Sequence, residues 1–207
     1  MPDGSSQVKR GRKFDQVLKG ARDVFMADGF EGASVDDIAK AAQVSKATLY
    51  SYFPDKKLLF MEVARHECNR QAEMAMDGIA PDTPIRDALT DMATQLLDFI
   101  TSPFGQRMFR ICVGESDRFP QLGREFYESG PKLVHDRLVA FISEGVTKGV
   151  LAVDDVPLAA DQFAELCKAD IFPRMVFSMA STFSKAEKDR VVIGAVDMFM
   201  ARYAVRT

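Results

Sequence analysis

Cysteine and histidine are scarce in this chain. Its 207 residues hold three cysteines, Cys68, Cys112 and Cys167, and two histidines, His66 and His135. The cysteines are odd in number, lie 44 and 55 residues apart, and form no CxxC pair. That excludes a disulfide framework and a zinc site, and leaves buried free thiols as the expectation. No HExxH or other metal-ligand spacing occurs, and neither GxGxxG nor GxxxxGK[ST] is present, so nothing in the motif content calls for a metal or a cofactor. No apolar run approaches the roughly 18 residues of a membrane span. Met1 to Lys13 is polar and basic without an apolar stretch, so no secretory signal is expected, and the expected location is the cytoplasm. Internal repeats are missing, and so is the period-2 alternation of strands.

What the chain does have is apolar residues at helical spacing. Hydrophobic residues make up 47% and charged residues 28%, enough for a packed core under an ordinary soluble surface. The net charge of -3 is unevenly spread. Residues 1–60 carry ten basic and eight acidic side chains, a balance of +2, and the rest carry seventeen and twenty-two, a balance of -5. The excess of cations is greatest at the start, where Lys9, Arg10, Arg12 and Lys13 cluster. Any polyanion contact therefore belongs near the N-terminus.

Phe14, Val17, Leu18, Ala21, Val24 and Phe25 follow the i, i+3, i+4, i+7 pattern of a helix that stops at Asp28-Gly29. Ser34 with Asp37 three residues later marks the start of a short second helix. After a turn at Gln43-Val44, Ser45 caps a third helix, Lys46 to Tyr52, and Asp55 caps a long fourth one reaching about Gly78. Pro81 and Pro84 then mark a composition shift. Further helices are expected over 85–100, 104–115, 120–148, 157–179 and 185–203. The sum is an all-α protein of about nine helices. Residues 1–60 form a three-helix helix-turn-helix domain, with 1–11 as a flexible basic arm, and 61–207 form a larger helical bundle behind it.

Two short helices around a tight turn, packed on a longer one, form the helix-turn-helix plan, whose second helix enters the major groove of DNA. Here that helix reads Ser45-Lys46-Ala47-Thr48-Leu49-Tyr50-Ser51-Tyr52. Val44 and Leu49 can face inward, which leaves a polar, hydroxyl-rich outer surface. Ala47 and Thr48 are small enough to approach base edges, and Thr48 can bond a base or meet a thymine methyl. Tyrosine hydroxyls suit phosphate oxygens. Lys56 and Lys57 stand in the first turn of the fourth helix, where they oppose the helix dipole but suit an anion.

The run from Phe25 through Gly29-Phe30 and Ser34-Val35-Asp36-Asp37-Ile38-Ala39 to Leu49-Tyr50-Ser51-Tyr52-Phe53-Pro54-Asp55-Lys56-Lys57-Leu58-Leu59-Phe60 resembles the N-terminal domain of TetR-family repressors. The likeness covers about Arg12 to Phe60. It departs at Gln43, where the family usually has glycine, and glutamine enters a left-handed turn only at a cost. The resemblance implies DNA contacts from Ser34, Ser45, Lys46, Ala47, Thr48, Tyr50, Ser51, Tyr52 and Lys56. Lys46 and Thr48 would be nearest the bases, with Ser34, Tyr50 and Lys56 on phosphates.

Farther along, Arg118-Phe119-Pro120, Phe126-Tyr127-Glu128 and Val153-Asp154-Asp155 resemble the AefR-like C-terminal subgroup of that family, which implies a bundle that binds an effector and dimerises. Phe104, Met108, Cys112, Phe126, Phe163, Cys167 and Phe172 are the candidate lining for a small apolar or amphipathic effector, against the plainer reading that they are ordinary core. The last two helices are candidate dimer elements, giving a four-helix interface: the final one offers Val191, Val192, Ala195, Val196, Phe199 and Tyr203, with Gly194 and Ala195 allowing close approach, and the one before it Phe163, Leu166, Phe172 and Phe177. The expectation is a ligand-responsive repressor that binds a palindromic double-stranded DNA operator as a homodimer, with no membrane partner. Its half-sites would be about 34–36 Å apart or a multiple of that. The alternative is a helical small-molecule-binding protein or an enzyme with no DNA role. Asp36-Asp37 and Asp154-Asp155 are paired carboxylates, but both fall at caps or loop starts where solvated acids are ordinary, so no catalysis is expected.

Overall fold

A computed structural model describes residues 11–77 and 83–205, the side chains of 71–77 excepted. Lys9, Arg10 and the rest of the expected arm before Gly11 lie outside the described residues, as does the Gly78–Pro81 stretch of the expected boundary. The described residues form helices and no strand. In order these are α1 (Arg12–Gly32), α2 (Val35–Ala41), α3 (Lys46–Tyr52), α4 (Lys56–Asp77), α5 (Ile85–Thr101), α6 (Pro103–Glu115), α7 (Pro120–Ser129), α8 (Pro131–Thr147), α9 (Val156–Leu166), α10 (Ile171–Val176) and α11 (Lys185–Tyr203). An isolated bridge between Leu151 and Ala204 ties the end of α11 to the segment after α8.

Two helices expected to be single are divided. The 120–148 stretch breaks at Gly130, because Pro131 opens α8 at a position where its missing N–H costs nothing, and could not sit inside a longer helix. The 157–179 stretch breaks between Leu166 and Ile171, where Asp170 takes a left-handed φ of 64°. In α1, Gly29 leaves helical geometry at φ 75° where the sequence expects a stop, and one further turn follows to Gly32.

The chain groups into two compact units. The first runs through Glu67 and adds Ile111–Phe126; the second holds Cys68–Arg110 and Tyr127 onward. The division thus passes through α4, α6 and α7.

The first unit has an aromatic core. Phe14, Val17, Leu18, Ala21, Val24 and Phe25 of α1 are all buried, the face that the periodicity predicts. Phe60 meets Phe25 edge-on at 5.0 Å and Phe30 at 5.2 Å, and Phe14 meets Phe53 at 5.5 Å. Helices α2 and α3 have only seven residues each and could not persist alone. Ile38, Ala39 and Ala42 of the α2 segment and Leu49 of α3 hold them to this core. Burial of a leucine side chain contributes about 1.5–3 kcal/mol. Helices α1 and α2 approach closely at Gly20, where a Cβ would come within 2.5 Å of the Ala42 backbone nitrogen.

In the second unit, Leu89, Ala93 and Leu97 of α5, Phe163 and Cys167 from α9 and its cap, and Val192, Val196 and Phe199 of α11 share one apolar core with Leu138 and Ile142 of α8. Burial pushes the Cys167 thiol up to about 12, so it sits there as a small apolar side chain. Surface ion pairs Arg86–Asp197 and Lys188–Asp98 fasten α5 to α11 at 2.5 and 2.8 Å.

Candidate nucleic-acid interface

The start of each short helix follows from a local side chain. Ser34 Oγ accepts from the Asp37 backbone N–H at 3.0 Å, and the Ser34 hydroxyl donates to the Asp37 carboxylate at 2.5 Å. Ser45 Oγ accepts from the Thr48 N–H at 3.1 Å, and Asp55 accepts from the Leu58 N–H at 2.7 Å. Each cap meets one of the orphan donors that open a helix. Between α2 and α3, Gln43 adopts φ 54°. The next residue, Val44, donates its N–H to the Ala39 carbonyl at 3.0 Å and closes the C-terminus of α2.

That turn sets the orientation of α3. Leu49 is buried, Val44 is half-buried, and Ser45, Lys46, Ala47, Tyr50 and Ser51 are exposed together. Thr48 and Tyr52 are half-buried at the margins of this face. The Tyr52 ring packs edge-on against Phe14 at 5.8 Å. The hydroxyls are partly committed inside the helix: Ser45 and Thr48 share a bond of 2.8 Å, and Ser51 donates to the Thr48 carbonyl at 2.6 Å. Of the sequence-predicted α3 residues, five are thus exposed and Thr48 and Tyr52 are half-buried, Tyr52 with its ring against Phe14; Ser34 is exposed at the start of α2.

Four basic side chains have partners that spacing did not reveal. Lys46 forms an ion pair with Asp36 of α2. Its ammonium is held above the ordinary lysine range, first by that hydrogen bond and then by the charge of Asp36. Lys56 donates to the carbonyls of Ala33 at 3.1 Å and Glu31 at 3.4 Å, with its ammonium 4.7 Å from the Phe30 ring centroid. It thereby neutralises the carbonyl-rich end of α1. Lys57 lies over the Phe119 ring at 4.1 Å, and Arg118 faces Glu31 at 3.9 Å. Phe119 and Arg118 lie in the 111–126 segment, so the lysine-bearing turn of α4 and that segment meet within the first unit.

The seven candidate effector-lining residues are divided between the two units, with Phe104, Met108 and Cys112 all on α6. Cys112 and Phe126 fall in the first unit, and Phe104, Met108, Phe163, Cys167 and Phe172 in the second. Phe104, Met108, Cys112, Phe163 and Cys167 are buried. Phe163 meets Phe199 at 5.1 Å within the second core, and Phe172 meets Phe109 edge-on at 5.2 Å. The candidate dimer stripe of α11 is also turned inward. Val191, Val192, Ala195, Val196 and Phe199 are all core residues, because this stripe packs on α5 and α9. The outward face instead presents Ile193 at 57% and Met198 at 61% exposure, with open space at Gly194. Periodicity locates apolar stripes; it does not say which one a neighbouring helix of the same chain covers.

Among the described residues no helix is long and apolar enough to cross a membrane. Residues 17–63 match the family described as bacterial regulatory proteins, tetR family, and residues 87–205 match the AefR-like transcriptional repressor C-terminal domain. The chain is 28% identical over 181 residues to the HTH-type transcriptional regulator YdeS of Bacillus subtilis (strain 168), covering 83% of this chain and 85% of that one. Its fold superposes on a TetR-family transcriptional regulator from Mesorhizobium loti MAFF303099 with a TM-score of 0.85 and 26% identity, over 94% of this chain and 98% of the other. It is also similar to the flavonoid-responsive regulator FrrA, with 34% identity and a TM-score of 0.76 over 96% of this chain and all of that one.

Proposed function

The chain belongs to the TetR family of transcriptional regulators, and from that premise we propose that it is a ligand-responsive repressor binding a palindromic operator as a homodimer. The observation that carries the proposal is the outward face of α3, where Ser45, Lys46, Ala47, Tyr50 and Ser51 are exposed on a helix pinned by Leu49. A polar helix face of this size suits the major groove. Lys46 and Thr48 read base edges in this proposal. Ser34, Tyr50 and Lys56 hold phosphates, and Ser45, Ala47, Ser51 and Tyr52 complete the contact surface. The Lys56 ammonium has three donors, of which the α1 carbonyls take two, so one remains for a phosphate oxygen.

Repression follows the AefR-like match of the C-terminal region. The effector is a small apolar or amphipathic molecule, a class supported by the flavonoid-responsive relative and by the phenylalanine and thiol content of the bundle. It would act by binding one arrangement of the two DNA-reading heads better than the other, since equal affinity shifts nothing. The homodimer uses the outward face of α11. The protein works in the cytoplasm without a catalytic role.

Binding of the purified protein to duplex DNA from upstream of its own coding region, measured across a salt series, tests this reading. Affinity should fall steeply and linearly on a log–log plot. Thr48→Ala should alter which bases matter, whereas Lys56→Ala should weaken binding to all sequences and lower the salt slope. Equal affinity for upstream and unrelated duplexes at every salt concentration would refute it.

A further inference from the structure

Two consecutive carboxylates open α2, and they serve different ends. Asp37 turns back on Ser34 and closes the cap. Asp36 crosses to α3 and binds Lys46. Both members of this pair are open to solvent, with side-chain exposures of 59% for Lys46 and 64% for Asp36. An ion pair so exposed contributes little to stability. It stands on the same outward surface as Ala47 and Tyr50, and Tyr50 lies near enough to Lys46 to act on its charge.

We propose that Asp36 and Lys46 read a single G·C base pair together, and that Asp36 is the specificity-determining member. The inference rests on the reading above that α3 enters the major groove. Along the major-groove edge, guanine presents two acceptors, N7 and O6, and cytosine then presents the N4 donor. An ammonium carries three donors and no acceptor; a carboxylate carries acceptors only. Lys46 spends one donor on Asp36 and has two left for N7 and O6. The carboxylate has lone pairs left for the cytosine N4–H. Against an A·T pair the match fails twice, since a lysine donor meets the adenine N6 amino group and the carboxylate meets thymine O4.

Asp36 also restrains what Lys46 would otherwise do. A free lysine at the edge of the groove reaches for the nearest phosphate, which adds affinity for any sequence and information about none. Beside Asp36 the ammonium is offset in charge, so its pull on a phosphate is weaker and the contact depends more on the base.

The test is selection of bound sequences from a pool of randomised duplex DNA, using the full chain, Asp36→Ala and Lys46→Met. Thermal unfolding is checked to be the same in all three. The full chain should enrich a symmetric motif with one G·C position per half-site that both variants lose. At that position the preference should drop from about tenfold or more to near none, with the remaining positions unchanged. Asp36→Ala should also bind unselected duplex more tightly at low salt, with a salt slope steeper by about one. If Asp36→Ala keeps the full motif, or if the two variants lose different positions, the proposal is wrong while sequence-specific binding stands. If the full chain enriches no motif, the regulator reading falls and this inference falls with it.

Discussion

Gln43 holds φ 54° in the turn between α2 and α3, a conformation that costs a side chain about 1–2 kcal/mol. Glycine avoids that cost but loses about 0.5–1 kcal/mol in backbone entropy on folding. The difference favours glycine, so Gln43→Gly should raise stability by about 0.5–1 kcal/mol. Urea unfolding monitored by circular dichroism reads this as a higher midpoint; an unchanged or lower midpoint would mean that the turn relaxes without strain. The left-handed turn at Gln43 was expected from the resemblance alone, because the family usually has glycine there. The caps were legible for a local reason, since Ser34, Ser45 and Asp55 each bind a backbone group three residues away. The lysine partners were not. Lys46 finds Asp36 on another helix, and Lys56 finds the carbonyls of Glu31 and Ala33. Such contacts depend on how helices pack, which residue spacing does not encode.

Helix α1 comes close to the end of α2 at Gly20, where an added Cβ would lie 2.5 Å from the Ala42 nitrogen and 2.7 Å from its Cα. Alanine is the better helix former by about 1 kcal/mol. Overpacking against a backbone that cannot rotate away costs about 1–3 kcal/mol, and here the shortfall is large enough to win. Gly20→Ala should therefore destabilise the protein, by about 1–2 kcal/mol net in denaturant unfolding. It should also impair DNA binding, because α2 positions the turn before α3. A second prediction belongs to the N-terminus of α11. There Ser184 and Glu187 form a reciprocal capping box, and the Glu187 carboxylate also takes a bond from Arg174 at 3.1 Å. The Ser184 backbone N–H, then its hydroxyl, then Arg174 lower this carboxyl from 4.5 to about 2. A carboxyl depressed by folding stabilises the native state above its ordinary value, and that contribution is lost as pH falls toward the folded value. The melting temperature should accordingly fall between pH about 4.5 and 2 more steeply in the parent than in Glu187→Gln, with the two curves converging near pH 2. Parallel curves over that window would show that the capping carboxylate is energetically idle.

At the scale of the whole chain, the apolar surface left uncovered on α11 becomes the deciding feature. Ile193 and Met198 are more than half exposed, and nothing crowds Gly194. Replacing Ile193 and Met198 together with aspartate should leave the fold intact, since neither side chain belongs to the core. It should convert a dimer to a monomer in sedimentation equilibrium and weaken binding to a two-half-site duplex far more than to a single half-site. A double variant that remains dimeric would move the interface to another face. The grouping of 111–126 with the DNA-reading head acts at this scale too. Lys57 over Phe119, and Arg118 beside Glu31, join segments more than fifty residues apart in sequence.

The order of the chain by itself determined the helical class, the three N-terminal helices and their caps, and the face of α1 that is buried. These depend on periodicity and on contacts within a turn or two, where the geometry of the backbone leaves little choice. The tertiary structure alone decided three other things: that Asp36 rather than solvent meets Lys46, that the apolar stripe of α11 faces inward, and that residues 111–126 fold with residues 11–67. Each concerns groups brought together by packing, and an apolar stripe or a charge in the sequence carries no record of which distant surface will cover it.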